Sequence, residues 1–189
     1  MGVNVIKIPI SGGPHTGKTT LIEALHNEFP EAHFVPEPAE AVITRELARQ
    51  ALNPDYVPVV PWIDYTVFGP AVADESTKLE ADVPDDANLV FQDRSLIDTI
   101  AYAQLNGFEE FVPEVERRVR LANYAFALFC EPVGTYTATD VRRETDEEAR
   151  QTHEHLARAY DASGIRVVHL PAVSVQERVS IVRASIGSL

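Results

Sequence analysis

The chain has 189 residues, of which 45% are hydrophobic and 24% charged, and its formal net charge is -13 at pH 7. This length and composition indicate an ordinary globular protein and exclude a disordered or fibrous chain. The negative charge argues against broad binding to nucleic acid or anionic lipid, and no apolar run is long enough to span a membrane. The single cysteine, Cys130, excludes an internal disulfide, so we expect a buried thiol and a cytoplasmic protein.

The first predicted elements are a strand, a glycine-rich loop and a helix. Residues 3–10 are β-branched and almost wholly apolar, as in a central strand of a parallel sheet that is covered on both faces. The loop occupies residues 11–20. Leucine and phenylalanine then recur at helical spacing, and Pro30 ends this helix.

Strands and helices alternate along the rest of the chain. Short apolar segments predict four further strands, over residues 33–37, 88–93, 124–130 and 165–170. Helices are predicted over residues 39–52, 63–81, 96–105, 111–122, 147–162 and 174–184. Gly69 and Pro70 are expected to kink or split the second helix of this series. The alternation predicts one α/β domain over residues 1–189, with a five-stranded parallel sheet flanked by helices.

Residues 12–19 match the phosphate-binding pattern G-x-x-x-x-G-K-[ST] in full. The residues expected to contact the nucleotide are Gly12, Gly13, Pro14, His15, Thr16, Gly17, Lys18, Thr19 and Thr20. Glycine allows a backbone turn in which successive N–H groups point at a polyphosphate, at the positive end of the following helix. Lys18 would lie beside the phosphate oxygens, and the Thr19 hydroxyl would bind Mg²⁺. The motif therefore predicts binding of ATP, or alternatively GTP, with Mg²⁺.

A second candidate site residue, Asp93, ends a predicted strand and is followed by Arg94 and Ser95. Ligands of open parallel sheets bind at the carboxyl ends of the strands, so Asp93 could hold Mg²⁺ and Arg94 a phosphate or a substrate hydroxyl. The alternative is that Asp93 and Ser95 only cap the next helix, while Arg94 makes a surface ion pair. The position shortly after a phosphate-binding loop favours the functional interpretation.

Glu37 ends the second predicted strand, between two prolines that restrict the local backbone. Its carboxylate would lie over the same sheet edge as the phosphate-binding loop, where it could act as a general base. A solvent-exposed loop glutamate is the alternative. The sequence leaves both interpretations open.

For two further groups of residues, both a functional and a purely structural interpretation are possible. The polar segment 134–146 could be a mobile lid in which Arg142 and Arg143 bind the transferring phosphoryl group, or it could be the solvated start of a helix. Trp62, Tyr65 and Phe68 could stack on a substrate ring, but aromatic residues at this spacing more often belong to the core.

Together these segments resemble the NadR-like family of small P-loop ATPases and kinases, which includes a nicotinamide-riboside kinase domain. The resemblance rests on residues 11–25, 35–37, 90–102, 140–143, 147–150 and 173–178. More distantly, Glu37 and the Asp93-Arg94-Ser95 segment resemble those of thymidylate and deoxynucleoside kinases. One departure is Gln92, which stands where an apolar residue usually precedes the acid.

The resemblance implies a P-loop three-layer α/β sandwich that transfers the γ-phosphoryl group of ATP to a small, nucleoside-like acceptor. It implies that Glu37 or Asp93 is the base and Mg²⁺ ligand, and that the phosphates are bound by Arg94, Arg142 and Arg143. Arg178 would lie near the adenine ring. The alternative is a regulatory or switch ATPase or GTPase with a protein or lipid partner. The acceptor, and whether the protein is a monomer or a homodimer, do not follow from the sequence.

Overall fold

The computed structural model describes residues 5–133 and 145–189. Within them, five strands form one sheet: β1 (Ile6–Ser11), β2 (His33–Val35), β3 (Leu89–Asp93), β4 (Ala127–Cys130) and β5 (Val167–Leu170). The strands lie in the order β2-β3-β1-β4-β5, and every neighbouring pair is parallel. The predicted α/β fold with a five-stranded parallel sheet is confirmed.

Seven α-helices of the described residues connect and cover these strands. They are α1 (Lys18–Glu28), α2 (Pro38–Leu52), α3 (Tyr65–Ala81), α4 (Leu96–Leu105), α5 (Val112–Ala122), α6 (Asp146–Ala162) and α7 (Val175–Ile186). A short 3-10 turn, Glu109–Phe111, precedes α5. None of the described helices combines the length and the apolar character that crossing a membrane requires.

The two largest apolar cores lie on opposite faces of the sheet, because successive strand residues point to opposite sides. Leu128 of β4 is fully buried in the core that α1 and α7 cover, whereas its neighbour Phe129 is fully buried against α4 and α6. Cys130 is also fully buried, as predicted, and burial raises the pKa of its thiol to about 11. This thiol is therefore a packing group.

Of the two predicted effects of Gly69 and Pro70, a kink or a split, the split is wrong, because α3 runs without interruption through both residues. Pro70 removes one backbone donor, but the helix is held on both sides of it by the buried residues Phe68 and Ala73. Packing explains why residue 69 is a glycine, since a β-carbon at this position would lie 2.9 Å from the ring of Tyr65. Tertiary packing thus overrides the local helix-breaking signal.

The sheet order places the functional segments at one edge. β1 lies at the centre, and its residue Ile10 pairs with Asp93 at the end of β3. The amide of Arg94 then donates to the carbonyl of Ile10 at 3.0 Å. The loop that follows β1 therefore leaves the sheet directly beside Asp93 and Arg94, at the carboxyl ends of the strands, where open α/β sheets bind ligands.

Candidate active site

The loop between β1 and α1 has the backbone geometry that its glycines predict. Gly12 and Gly17 have φ values of 148° and 71°, and His15 also has a positive φ of 60°. A β-carbon on Gly12 would lie 2.6 Å from the carbonyl oxygen of Cys130, so no larger residue fits there. Gly17 precedes the first turn of α1, whose amides have no partner within the helix and so form an anion-binding end.

The residues of the motif differ in what they can offer a phosphate. Pro14 has no backbone N–H to donate. Thr16 is buried, and its hydroxyl donates to the carbonyl of Gly13 at 2.9 Å. Thr19 and Thr20 are exposed at the start of α1. The second half of the loop, where the chain enters α1, is thus the part that is accessible and can donate hydrogen bonds to a phosphate.

The side chain of Arg178 in α7 hydrogen-bonds the backbone of this loop. This side chain is buried, and Nη1 donates to the carbonyl oxygen of Thr16. Nε donates to the carbonyl of Pro171 at 2.8 Å, and Nη2 to the carbonyl of Glu131 at 2.7 Å. One guanidinium therefore ties together the loop and the chain ends after β4 and β5. The sequence interpretation placed Arg178 beside adenine and did not predict this supporting role.

Three residues from separate segments of the chain meet beside the loop. Lys18 Nζ hydrogen-bonds a carboxylate oxygen of Asp93 and lies 3.8 Å from Oε2 of Glu37. Only 11% of the Lys18 side chain is exposed, compared with about a quarter of each carboxylate side chain (25% and 26%). The structure thus brings together the lysine and both acids that the sequence singles out.

Arg94 extends this charged group. Its backbone has a positive φ of 67°, and its Nε donates to Oε1 of Glu37 at 3.1 Å. Its Nη1 donates to Oδ1 of Asp98 at 3.0 Å, and the guanidinium lies 5.7 Å from the ring centroid of Tyr102. Burial alone would lower the pKa of Arg94, but Tyr102 and the two carboxylates raise it above its ordinary value. Arg94 is therefore a largely buried cation, with 15% of its side chain exposed, and its ion pairs with Glu37 and Asp98 do not lie on the surface as the alternative interpretation expected.

Asp98, which the sequence analysis did not single out, is the buried acceptor at the centre of the network. Its Oδ1 receives the hydroxyl of Ser11 at 2.6 Å, besides Arg94. Its Oδ2 receives the amide of Ser95 at 2.9 Å and the hydroxyl of Tyr160 at 2.6 Å. Burial, followed by the charge of Asp98, raises the pKa of Tyr160 well above its usual value, so this phenol stays a donor.

One local signal does point to Asp98. Ser95 and Asp98 have the spacing of a capping box, and the structure contains that box at the start of α4. The Ser95 hydroxyl accepts from the amide of Ile97 at 3.1 Å, which confirms that Ser95 caps the helix. The contacts of Asp98 with Ser11 and Tyr160 are long-range and have no local signature.

A cavity of about 340 Å³ lies beside Arg94, and no residue of the phosphate-binding loop is among those that line it. Its wall includes Glu37 and Arg94 together with the rings of Tyr65, Phe68 and Tyr102. Of the three aromatic residues weighed above, Tyr65 and Phe68 thus line this cavity. Trp62 is 66% exposed, so the core interpretation is wrong for that residue.

The sequence predicts that Thr19 and Asp93 bind Mg²⁺. Among the described residues, no group of three or more His, Cys, Asp and Glu side chains could hold a metal ion on its own. Thr19 and Asp93 supply a hydroxyl and a carboxylate, which are the oxygen ligands that Mg²⁺ prefers. They fit an ion that takes its remaining ligands from phosphate and water.

Part of the predicted site lies outside the described residues. Arg142, Arg143 and residues 134–144 of the candidate lid belong to this part. The described chain resumes at Thr145, whose hydroxyl accepts from the amide of Glu148 at 3.2 Å and caps α6. The roles of Arg142 and Arg143 stay predictions.

Comparison with protein families gives a match over residues 7–178 to a family described as an AAA domain. No curated protein matches the chain significantly. Among solved structures, NadR protein in complex with NR superposes with a TM-score of 0.65 at 24% identity over 96% of this chain and 51% of the other. NadR protein in complex with NAD and AMP-PNP gives 0.63 at 23% identity, over 96% and 49%.

Thymidylate kinase from Candida albicans is also similar, with a TM-score of 0.63 at 13% identity over 97% of this chain and 92% of the other. The chain spans about half the length of the two NadR chains (51% and 49%). At these identities the likeness shows the fold. It confirms the resemblance to NadR-like and thymidylate kinases that the motifs indicate.

Proposed function

The chain belongs to the AAA domain family, and from this we propose that it is an ATP-dependent, Mg²⁺-dependent phosphotransferase. It would transfer the γ-phosphoryl group of ATP to a small, nucleoside-like acceptor. One observation carries the proposal: Lys18, Asp93 and Glu37 meet between the phosphate-binding loop and the cavity beside Arg94. A phosphate chain on one side and an acceptor on the other would then face each other across these groups.

The positive charge of Lys18 is suited to binding the negatively charged polyphosphate of the phosphoryl donor. Lys18 is largely buried and its ammonium already contacts Asp93, so a polyphosphate in the loop would compete with a carboxylate for the same cation. Phosphoryl transfer depends mainly on positioning and on charge neutralisation, which buried cations perform well. Mg²⁺ on Thr19 and Asp93 would supply further neutralisation of the phosphate charge.

The two carboxylates differ in their surroundings, which supports different roles. Glu37 lines the cavity beside Arg94, whereas Asp93 is not among the residues that line it. Asp93 instead ends β3 beside the loop and contacts Lys18. We therefore assign Glu37 as the general base that takes the acceptor's proton, and Asp93 as the metal ligand.

The wall of the cavity supports a ring-bearing acceptor. The rings of Tyr65, Phe68 and Tyr102 offer apolar and stacking surface, while Arg94 and Glu37 offer a donor and an acceptor of hydrogen bonds. Burial raises the pKa of Tyr65, so its hydroxyl also remains a neutral donor. A nucleoside combines a planar ring with sugar hydroxyls and matches both features. The fold that this chain shares with NadR and thymidylate kinase supports the same class.

A switch NTPase with a macromolecular partner is the second candidate, and exposed apolar side chains favour it. Trp62, Ile63 and Val67 are 66%, 52% and 50% exposed near the start of α3. Clustered exposed apolar residues are typical of interaction surfaces. The kinase nevertheless accounts for the cavity beside Arg94, which a switch protein does not require.

The deciding experiment is a γ-phosphate transfer screen. Purified protein is incubated with Mg²⁺ and labelled ATP or GTP, and with nucleosides, nucleotides, vitamins and antibiotics as acceptors. We expect rapid transfer of label to one nucleoside-like compound and little hydrolysis without it. Slow hydrolysis that no small acceptor stimulates would contradict the kinase and support the switch protein. If calorimetry showed no binding of either purine triphosphate, both functions would be wrong.

A further inference from the structure

One histidine of helix α6 contacts the phosphate-binding loop directly. The backbone amide of Gly13 donates to Nδ1 of His153 at 3.2 Å. The two backbones are so close that a β-carbon on Gly13 would lie 2.6 Å from Cβ and 2.9 Å from Cα of His153. Gly13 therefore lets the helix reach the loop, and His153 supplies the bond between them.

This contact fixes the tautomer of the imidazole. A backbone N–H can only donate, so Nδ1 of His153 must carry the lone pair that accepts it. The proton of the neutral ring then lies on Nε2, which donates to Oε2 of Glu131 at 3.2 Å. The other oxygen of Glu131 contacts Nδ1 of His169 at 2.9 Å, and the ring of Phe129 packs 5.1 Å from the His153 ring.

Both polar groups of the Gly13 backbone are thereby occupied. Its amide is bound by His153, and its carbonyl accepts the Thr16 hydroxyl at 2.9 Å. Gly13 consequently offers no amide to a phosphate, and the peptide at the base of the loop has a fixed orientation. The fixed orientation of this peptide in turn sets the position of the backbone amides further along the loop, from Gly17 onward, which would face the phosphates.

Helix α6, which carries His153, is held in place by contacts that do not involve His153. Tyr160, two turns further along α6, donates to Asp98, and Leu156 and Ala159 are buried in the core. The position of α6 therefore does not depend on the bond between His153 and Gly13. A change of the imidazole alone is expected to release the loop from the helix while leaving the helix in place.

We propose that His153 is a positioning residue for the phosphate-binding loop, which it orients by accepting the Gly13 amide at Nδ1. The inference rests on the proposed nucleotide binding, because the loop it orients is the one that would hold the phosphates. We assign His153 no contact with a reacting atom, because both of its ring nitrogens are occupied by Gly13 and Glu131. Its Nε2–H donates to Glu131, which fixes the tautomer and the orientation of the ring, as second-layer carboxylates do for metal-bound histidines.

A matched pair of amide substitutions separates the two nitrogens of the ring. In His153→Asn, the side-chain oxygen can occupy the place of Nδ1 and accept the Gly13 amide. In His153→Gln, the longer amide can reach the place of Nε2 and donate to Glu131, but nothing accepts the Gly13 amide. His155→Asn, on the same helix, controls for the loss of an imidazole from α6.

The first measurement is the dissociation constant of ATP with Mg²⁺, determined by calorimetry. We expect His153→Gln to weaken binding by about tenfold, the effect of one lost hydrogen bond, and His153→Asn to stay within about twofold of wild type. The control is expected to match wild type. Equal binding by the Gln and Asn variants would overturn the proposal, and thermal unfolding confirms that each variant is folded.

The second measurement needs no nucleotide. Nitrogen-15 NMR of the histidine rings at neutral pH reports which nitrogen is protonated, and we expect the Nε2–H tautomer for His153. An Nδ1–H tautomer would overturn the proposal. If wild-type protein bound no ATP, the proposed nucleotide binding would be wrong, whereas ATP binding by wild type together with equal binding by the Gln and Asn variants would overturn only the positioning role. The two failures are therefore distinguishable.

Discussion

Lys18 and Asp93, which are 75 positions apart in the chain, form a direct ion pair between the start of α1 and the end of β3. The pair joins the phosphate-binding loop to the strand that carries the candidate metal ligand. Because the pair is largely buried, its carboxylate and ammonium are poorly screened by solvent. A phosphate in the loop would change the partners of both groups at once.

Replacement of this lysine tests the phosphate site. We expect Lys18→Ala to lower the rate of phosphoryl transfer by at least about 100-fold, because a preorganised charge at the phosphates is lost. The measurement is the steady-state rate with the acceptor found in the transfer screen. Lys78→Ala is the control, since Lys78 has a 66% exposed side chain and its Nζ lies 3.9 Å from a carboxylate oxygen of Glu75. Near-normal turnover in Lys18→Ala would rule out the proposed mechanism.

Replacement of the two acids tests the division of roles. We expect Glu37→Gln to lower kcat by about 10²–10⁴-fold, the usual contribution of a general base, with little change in the requirement for Mg²⁺. Asp93→Asn should instead raise the concentration of Mg²⁺ needed for half-maximal activity. Glu40→Gln, an exposed residue near the start of α2, is the control. If only Asp93→Asn lost the chemical step, the assignment of the base to Glu37 would be wrong.

Two buried tyrosines allow a paired test of the Asp98 network. Tyr160 donates to Asp98 at 2.6 Å, whereas Tyr124 donates to a different carboxylate, Glu80, at 2.6 Å. Replacing either by Phe should lower the free energy of unfolding by about 1.5–3 kcal/mol, the value for a hydrogen bond to a charged group. Only Tyr160→Phe should also lower phosphoryl transfer. Equal activity of the two variants would show that the network is structural only.

Glycine at the start of the loop is required by packing as well as by φ. We expect Gly12→Ala to abolish nucleotide binding or to destabilise the fold by about 1–3 kcal/mol or more, because the new methyl group meets the Cys130 carbonyl. Gly187→Ala is the control, since a β-carbon there has ordinary contacts, with its nearest neighbour at 3.5 Å. Calorimetry and thermal unfolding measure the two effects. Normal ATP binding by Gly12→Ala would contradict the loop geometry.

Stability at acid pH should depend on Glu46, a buried residue of α2. Its carboxylate accepts from Tyr56 at 2.5 Å, from the amide of Val59 at 3.2 Å and from Arg49 at 2.9 Å. The hydrogen bond from Tyr56, opposed by burial, is the main cause that lowers the pKa of Glu46 below its ordinary value of 4.5. The stability it contributes is therefore present above that ordinary value and is lost as the pH falls through the lowered one.

Glu46→Gln should accordingly lower the free energy of unfolding by about 1–3 kcal/mol at neutral pH, and the difference from wild type should shrink in acid. Denaturant unfolding across the acid range measures this difference, with Glu40→Gln as the control on the same helix. A difference that stays constant with pH would show that the carboxylate is not the stabilising group.

The sequence predicts most of the fold because its signals are local. The glycines and Lys18 of the phosphate-binding motif specify a loop geometry within a few residues, and the strand and helix patterns agree with the structure to within about three residues at most boundaries, as expected of pattern analysis. Gly69 and Pro70 do not split α3, because packing around Phe68 and Ala73 offsets the one backbone hydrogen bond that Pro70 removes.

The rest of the site could not be predicted, because it depends on contacts between distant segments. Asp98 lies 87 positions from Ser11 and 62 from Tyr160, and His153 lies 140 positions from Gly13. In the sequence, Tyr160 and His153 look like ordinary members of an amphipathic helix. Their roles come from where the crossover connections place α6, which no short motif encodes.

The four partners of Asp98 have a consequence for the energetics of any reaction at this site. Ser11, Ser95, Arg94 and Tyr160 are all oriented by one buried carboxylate before a substrate arrives. The conformational entropy of these side chains is lost once, when the polypeptide folds, and not again in each turnover. In the proposed group transfer, little reorganisation of the surrounding dipoles would then be needed as charge shifts, which would keep the activation barrier low.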